Sequence, residues 1–390
     1  MTAPSRYPAA VQPVGSRTDE DVAGAVERVL AEVFRDRRAE AAAVDPVFAG
    51  HIARRLADFA LDGGARRRPA LVWWGWRACG GLGGPESVRS VLEVAASLEL
   101  IQCAALIHDD VMDGSAVRRG QPAVHVDLAD RYGGAEPPGP LTARAAAPFG
   151  WSAAVLVGDL ALAWADDMIA DADLTLAARY RLQQVWRAMR TEMVAGQYLD
   201  LQAQVTGSRS PARAMRIAYL KSARYSVERP LALGAALAGA DAATRRALRD
   251  AGLCAGLAFQ LRDDLLGVFG DPLRTGKPAG DDIREGKVTY LVTTARRLAR
   301  QNPAALRVLD TALGDRELTP AALDRVREVL VSTGGRRYVE ARIDRLADAC
   351  RTRLRAVRLE PAARERLLAV LEDAAGRTGQ QQNRPGGGPG

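Results

Sequence analysis

The chain has 390 residues, 48% of them hydrophobic but only 5% aromatic, and a formal net charge of +7. A core drawn mostly from Ala, Leu and Val excludes a β-sandwich and predicts an all-α fold. The excess charge is arginine interleaved with acids along helical segments, so it reads as solvated surface, and no nucleic acid is expected as a partner.

In chain order, residues 1–18 lack periodicity and read as a disordered tail. Residues 19–41 carry Val22, Val26, Val29, Leu30 and Val33 at helical spacing behind a Thr18-Asp19 cap. Asp62-Gly-Gly-Ala-Arg-Arg-Arg-Pro69 is a flexible basic turn: the glycines let backbone approach an anion that the guanidinium groups then hold. Trp73, Trp74 and Trp76 follow and read as core, not as ligand contacts. From Leu98 an apolar run ends in Asp109, Asp110 and Asp113, with Arg118 and Arg119 just beyond; in a helix, the i, i+4 spacing places Asp109 and Asp113 on one face.

Residues 132–150 read as a loop at the mouth of the site. Asp166-Asp167 has no basic residues after it and reads as surface. Glu192, Gln197 and Asp200 punctuate a helix, Tyr219-Leu-Lys-Ser-Ala223 follows, and residues 252–267 repeat the earlier design, an apolar run ending in Asp263 and Asp264 with Lys277 and Lys287 beyond. The last helices, one capped at Thr319-Pro320, carry no recognisable chemistry, and 376–390 read as a second tail. No Pro-, Ser- or Gly-rich linker divides residues 19–375, so one large domain is expected. Cys79, Cys103, Cys254 and Cys350 have no CxxC spacing, there is no uncharged apolar run of 18 residues, and the first residues lack a signal-peptide core. The expectation is a cytoplasmic protein with no transmembrane segment.

Like-charged carboxylates this close stay ionised only in water or around a cation, and an all-oxygen donor set suits a hard ion such as Mg²⁺. Two acidic helix ends, each followed by basic residues, predict a metal–diphosphate site above an apolar well, with Asp109, Asp110, Asp113, Asp263 and Asp264 as candidate ligands.

These residues carry a resemblance. Asp-Asp-Val-Met-Asp with Arg-Arg-Gly, and Phe-Gln-Leu-Arg-Asp-Asp-Leu-Leu-Gly with Thr-Gly-Lys-Pro-Ala-Gly-Asp-Asp-Ile-Arg-Glu-Gly-Lys, resemble the two Asp-rich regions of the trans-polyprenyl diphosphate synthases, most closely the actinobacterial geranylgeranyl diphosphate synthase branch. The similarity runs from about residue 20 to about 370. It implies a single helical bundle of the isoprenoid synthase type around a central substrate cavity, Mg²⁺ as cofactor, and a homodimer. The implied substrates are isopentenyl diphosphate and an allylic diphosphate (dimethylallyl, geranyl or farnesyl). Carried over residue by residue, it implies Arg68, Gln102 and Arg119 at isopentenyl diphosphate, and Arg118, Lys221, Ser222, Gln260, Lys277 and Lys287 about the allylic substrate, with Asp109, Asp113, Lys221 and Asp263 as the catalytic set. Three departures stand out, one of them Gln102, a neutral hydrogen-bonding substitute where the family pattern usually has a His. Ala65 occupies the family's lysine position, leaving Arg66 or Arg67 to supply the charge, and Gly267 stands where the second motif has its last Asp.

The implied reaction is ionisation, condensation and elimination. Small side chains at Ala104 and Ala105, one turn before Asp109, leave the well open and favour a C20 product over C15. A class I terpene cyclase on the same fold, which the loss of the lysine would suit, and a non-catalytic partner subunit are the alternatives.

Overall fold

A computed structural model of the chain describes residues 14–81, 85–133, 140–271 and 279–375. Among them the architecture is all-α, with one two-residue hairpin as the sole strand pairing. At its centre lies the first acidic helix, Pro85–Asp113. Leu98, Leu100 and Ile101 are all fully buried although they point in different directions, so the helix is surrounded by others. Helix Pro140–Asp171 packs along one side of it, and Val22–Val44 and Arg67–Ala78 along others. Gly114, at φ 66°, ends it: the Ser115 amide returns to the Asp110 carbonyl, and the three aspartates are left on the last turns.

The second acidic helix, Ala242–Phe269, spans both main apolar clusters. Ala251 and Ala255 belong to the larger one, while Ala258, Leu261 and Leu265 join the cluster completed by the C-terminal helices. Between the acidic helices, Leu176–Val205 runs into a short helix and then an eleven-residue π-helix, Ala218–Glu228. Two glycines allow this close packing: a Cβ on Gly196 would stand 2.7 Å from the Lys221 amide nitrogen, and one on Gly256 would stand 2.6 Å from the Ala223 backbone.

Several expectations are corrected. Residues 14–18, read as tail, begin helix Val14–Glu20. The next helix, Val22–Val44, is capped by Asp21 and not by Thr18-Asp19; Asp19 instead accepts from the Trp73 indole and the Arg77 guanidinium. The supposed loop at 132–150 is helical from Pro140 onward, with Pro148 inside the helix, and only 134–139 lie outside the described residues. Asp166 and Asp167 are at the surface as expected, although Arg190 and Arg37 reach them from other helices. Two helices, Ser87–Asp113 and Ala145–Asp171, are long and apolar enough to cross a membrane, a property that a search for uncharged runs passes over. In the first, 78% of the apolar window is buried inside the protein; in the second, only 33%. Trp73, Trp74 and Trp76 lie in the core, and Thr319 caps helix Pro320–Ser332 as expected.

Candidate functional site

The i, i+4 geometry of the first acidic helix separates its three aspartates into two roles. Asp109 and Asp113 share a face; Asp110 is rotated away, fully buried, and clasped by the Arg118 guanidinium, whose Nε lies 2.9 Å from Oδ1. Arg118 is held there by a hairpin in which Val117–Arg118 pairs with Gln121–Pro122. Its two turn residues, Arg119 and Gly120, have φ values of 53° and 76°, the positive pair a type I′ turn requires. Asp110 and Arg118, expected at the metal and the diphosphate, are paired with one another here, and Arg118 also comes within 3.9 Å of Asp109.

Asp109 accepts from Lys221 Nζ at 3.0 Å and from Gln197 Nε2 at 2.8 Å, and Lys221 reaches Asp200 at 2.9 Å. Burial disfavours its charge, but Lys221 and Lys287 outweigh that and hold the Asp109 carboxyl below the usual range. Asp113 is almost wholly buried; Lys287 Nζ stands 3.1 Å away, yet neither carboxylate oxygen accepts a hydrogen bond. Burial therefore raises its pKa despite Lys287, and Asp109 adds to the effect. Lys287 also pairs with Glu285 at 2.6 Å, and Glu285 accepts from Ser115 at 3.1 Å, which ties the segment after the second acidic helix to the end of the first.

In the second cluster Asp263 is exposed and Asp264 is buried. Gln260 donates to Asp264 at 2.8 Å and accepts from the Ser222 hydroxyl, so Ser222 and Gln260 form a structural relay across to the π-helix. Burial, only partly offset by that hydrogen bond, and the neighbouring Asp282 and Asp263 push Asp264 up to about 8. Asp264, expected as a ligand, is buried beside the exposed Asp263. The departure at Gly267 has a physical counterpart: a Cβ there would stand 2.6 Å from Asp282 Oδ2, so another carboxylate fills the space of the missing side chain. Lys277 lies outside the described residues.

The donor set fits a hard divalent cation. Asp109 and Asp113 are oxygen donors on one helix face, each now balanced by a lysine charge, Lys221 and Lys287, whose place a divalent cation would take. Among the described residues no three His, Cys, Asp or Glu converge as a cage. A small hard ion needs none: one or two carboxylates, water and substrate phosphate oxygens complete its shell.

Two turns back along the same helix, Gln102 lines a second compartment, a cavity of about 160 Å³ bounded by the 64–68 turn, Glu99, Arg119, Ser226 and Phe259. Arg68 donates to Ser226 at 2.8 Å and lies over the Tyr225 ring; Arg119 donates to the Gly63 carbonyl at 3.0 Å; the Gln102 carbonyl oxygen is buried without a partner. Arg66 and Arg119 are the two non-glycine residues with positive φ among those described, a strain concentrated at this compartment. Arg66, one of the two candidates for the missing lysine's charge, is buried and bound to Glu99 at 2.6 Å and to the Ala60 carbonyl at 2.9 Å.

The sequence did not single out Asp200, Glu285, Ser226 or Phe259 for these contacts, nor the π-helix that carries Lys221. Only the helical spacing of Gln197 and Asp200, nearly one turn apart, hinted that both face the site.

The family model described as polyprenyl synthetase matches residues 51–330. Geranylfarnesyl diphosphate synthase of Aeropyrum pernix is 32% identical over 314 residues, covering 80% of this chain and 89% of that protein. Geranylgeranyl diphosphate synthase of Mycobacterium tuberculosis is 31% identical over 296 residues, covering 73% and 75%. A geranylgeranyl pyrophosphate synthase structure from Corynebacterium glutamicum, complexed with isoprenyl diphosphate and magnesium, is similar at 38% identity and a TM-score of 0.84, covering 90% of this chain and 97% of that one.

Proposed function

The chain belongs to the polyprenyl synthetase family and is a prenyltransferase, and on that premise we propose that it condenses isopentenyl diphosphate with an allylic diphosphate, with Mg²⁺, to give geranylgeranyl diphosphate. The observation that carries the reading is the pairing of Lys221 with Asp109 and of Lys287 with Asp113, beside a separate arginine-lined compartment. One compartment offers carboxylates with lysines, the other offers cations, which suits two diphosphates handled differently.

Asp109, Asp113 and Asp263 would hold Mg²⁺, which when bound draws charge from the allylic diphosphate. Lys221 and Lys287, freed from their carboxylates, donate to the diphosphate as its C–O bond breaks, and Gln197 keeps Asp109 in place. Arg68, Gln102 and Arg119 hold isopentenyl diphosphate so that its double bond meets the allylic carbon; a C–C bond forms, and the proton lost from the adjacent carbon leaves with the inorganic diphosphate. Ala104 is buried and Ala105 half-buried on the turn before Asp109, and their small side chains support the C20 reading. Given farnesyl diphosphate, isopentenyl diphosphate and Mg²⁺, the protein is expected to form a C20 diphosphate; omitting isopentenyl diphosphate or adding EDTA is expected to abolish it.

The proposal includes a homodimer in the cytoplasm. Helix Pro140–Asp171 leaves Phe149, Trp151, Val155 and Leu156 exposed, with Trp151 and Val155 one turn apart, and helix Leu176–Val205 adds Tyr180, Val194 and Tyr198. Large apolar side chains exposed in this number are covered in most soluble proteins, and a second copy of the chain would cover them. Light scattering is expected to give twice the chain mass, and Trp151→Asp with Leu156→Glu to halve it. A wild-type monomer at micromolar concentration would overturn the dimer.

A further inference from the structure

The arginine-lined compartment has four guanidinium groups in its wall, and their partners divide them. Arg66 is inside the protein, bound to Glu99, Glu27 and a carbonyl, and breaking a buried pair of this kind is strongly destabilising. Arg68 and Arg119 are anchored by one hydrogen bond each and rest over the Tyr225 and Phe59 rings, at 4.8 and 5.5 Å, so their direction is fixed. Arg67 differs. It opens helix Arg67–Ala78, its side chain is 44% exposed, and it meets Asp373, itself 49% exposed, at 3.0 Å. Exposed ion pairs are weak and screened by salt, so a more highly charged anion displaces the carboxylate readily.

Asp373 sits near the end of helix Pro361–Ala374, and the next residue, Ala374, lines the same cavity. The guanidinium is thus held at the rim of the compartment, two residues from Ala65, whose methyl group offers no charge to the cavity. We infer that Arg67 is a ligand of the homoallylic diphosphate, exchanging Asp373 for phosphate oxygens when substrate binds and supplying the charge that position 65 does not. Asp373 is its resting counter-ion, and it competes with substrate. The inference rests on the reading of this cavity as the isopentenyl diphosphate compartment.

The test is steady-state kinetics on the full chain with both substrates varied. A lost charge-assisted hydrogen bond predicts that Arg67→Ala raises KM for isopentenyl diphosphate roughly ten- to hundredfold, with a far smaller change in KM for farnesyl diphosphate. Restoring charge at the neighbouring position, Ala65→Lys in the Arg67→Ala background, is expected to recover most of the loss. Asp373→Asn is expected to lower KM for isopentenyl diphosphate a few-fold, because the competitor is gone. An unchanged KM in Arg67→Ala, an equal rise for both substrates, or no recovery with Ala65→Lys overturns the inference. Wild-type protein that consumes no isopentenyl diphosphate would instead overturn the reading on which it rests.

Discussion

Replacing Asp109 by alanine is expected to lower kcat by about 10³-fold or more with little change in thermal stability. Removing a single group that stabilises developing transition-state charge costs on the order of 10²- to 10³-fold. Asp109 contributes in two ways, as a carboxylate for the metal and as the partner that aligns Lys221. Stability is expected to change by about 1 kcal/mol or less. Two ion pairs are lost, but Lys221 keeps Asp200, Arg118 keeps Asp110, and repulsion with Asp110 and Asp113 is relieved. Kinetics and a melting curve on the same preparation check both halves. An Asp109→Ala enzyme with near-normal kcat would remove Asp109 from the chemistry.

The second large effect is expected at a residue with no functional group. Gly196→Val places a branched side chain where even a Cβ would be 2.7 Å from the Lys221 nitrogen and 2.9 Å from its Cα. These are backbone atoms, so relief requires helix Leu176–Val205 or the π-helix to shift. Overpacking of this kind costs about 1–3 kcal/mol. A displacement of about 1 Å in a positioning element lowers kcat by about 10²-fold. The expected result is a folded enzyme with a lower melting temperature and a kcat reduced by about that factor; wild-type kcat in Gly196→Val would mean that Lys221 tolerates displacement and that its placement by the π-helix is not functional.

What was legible in the sequence was whatever depends on local spacing. Asp109 and Asp113 fall on one face because a helix turns every 3.6 residues, and the same rule turns Asp110 away. Spacing separates Asp110 from the other two, and Asp264 from Asp263, but not what each then meets: Arg118 in one case, Gln260 in the other. Partnerships between distant segments left no local signal. Arg66 and Glu99 are 33 positions apart, and Lys221 and Asp109 are 112 apart, so which arginine is locked and which lysine reaches the acids emerged only when the helices packed. The π-helix was hidden for a related reason: one extra residue per turn is tolerated where tertiary contacts require it, and such segments often occur at functional sites. At 140–150 the proline-rich approach was read as loop, whereas the chain there is helical and Pro148 is accommodated within the helix, where residues 147–149 are exposed.

The central claim, that two diphosphates meet here and are joined, is tested most directly by mass spectrometry after incubation with Mg²⁺, unlabelled farnesyl diphosphate and ¹³C-labelled isopentenyl diphosphate. The predicted result is a C20 diphosphate carrying one labelled five-carbon unit, with one inorganic diphosphate released per product. A hydrocarbon formed from farnesyl diphosphate alone, with no label incorporated, would contradict it.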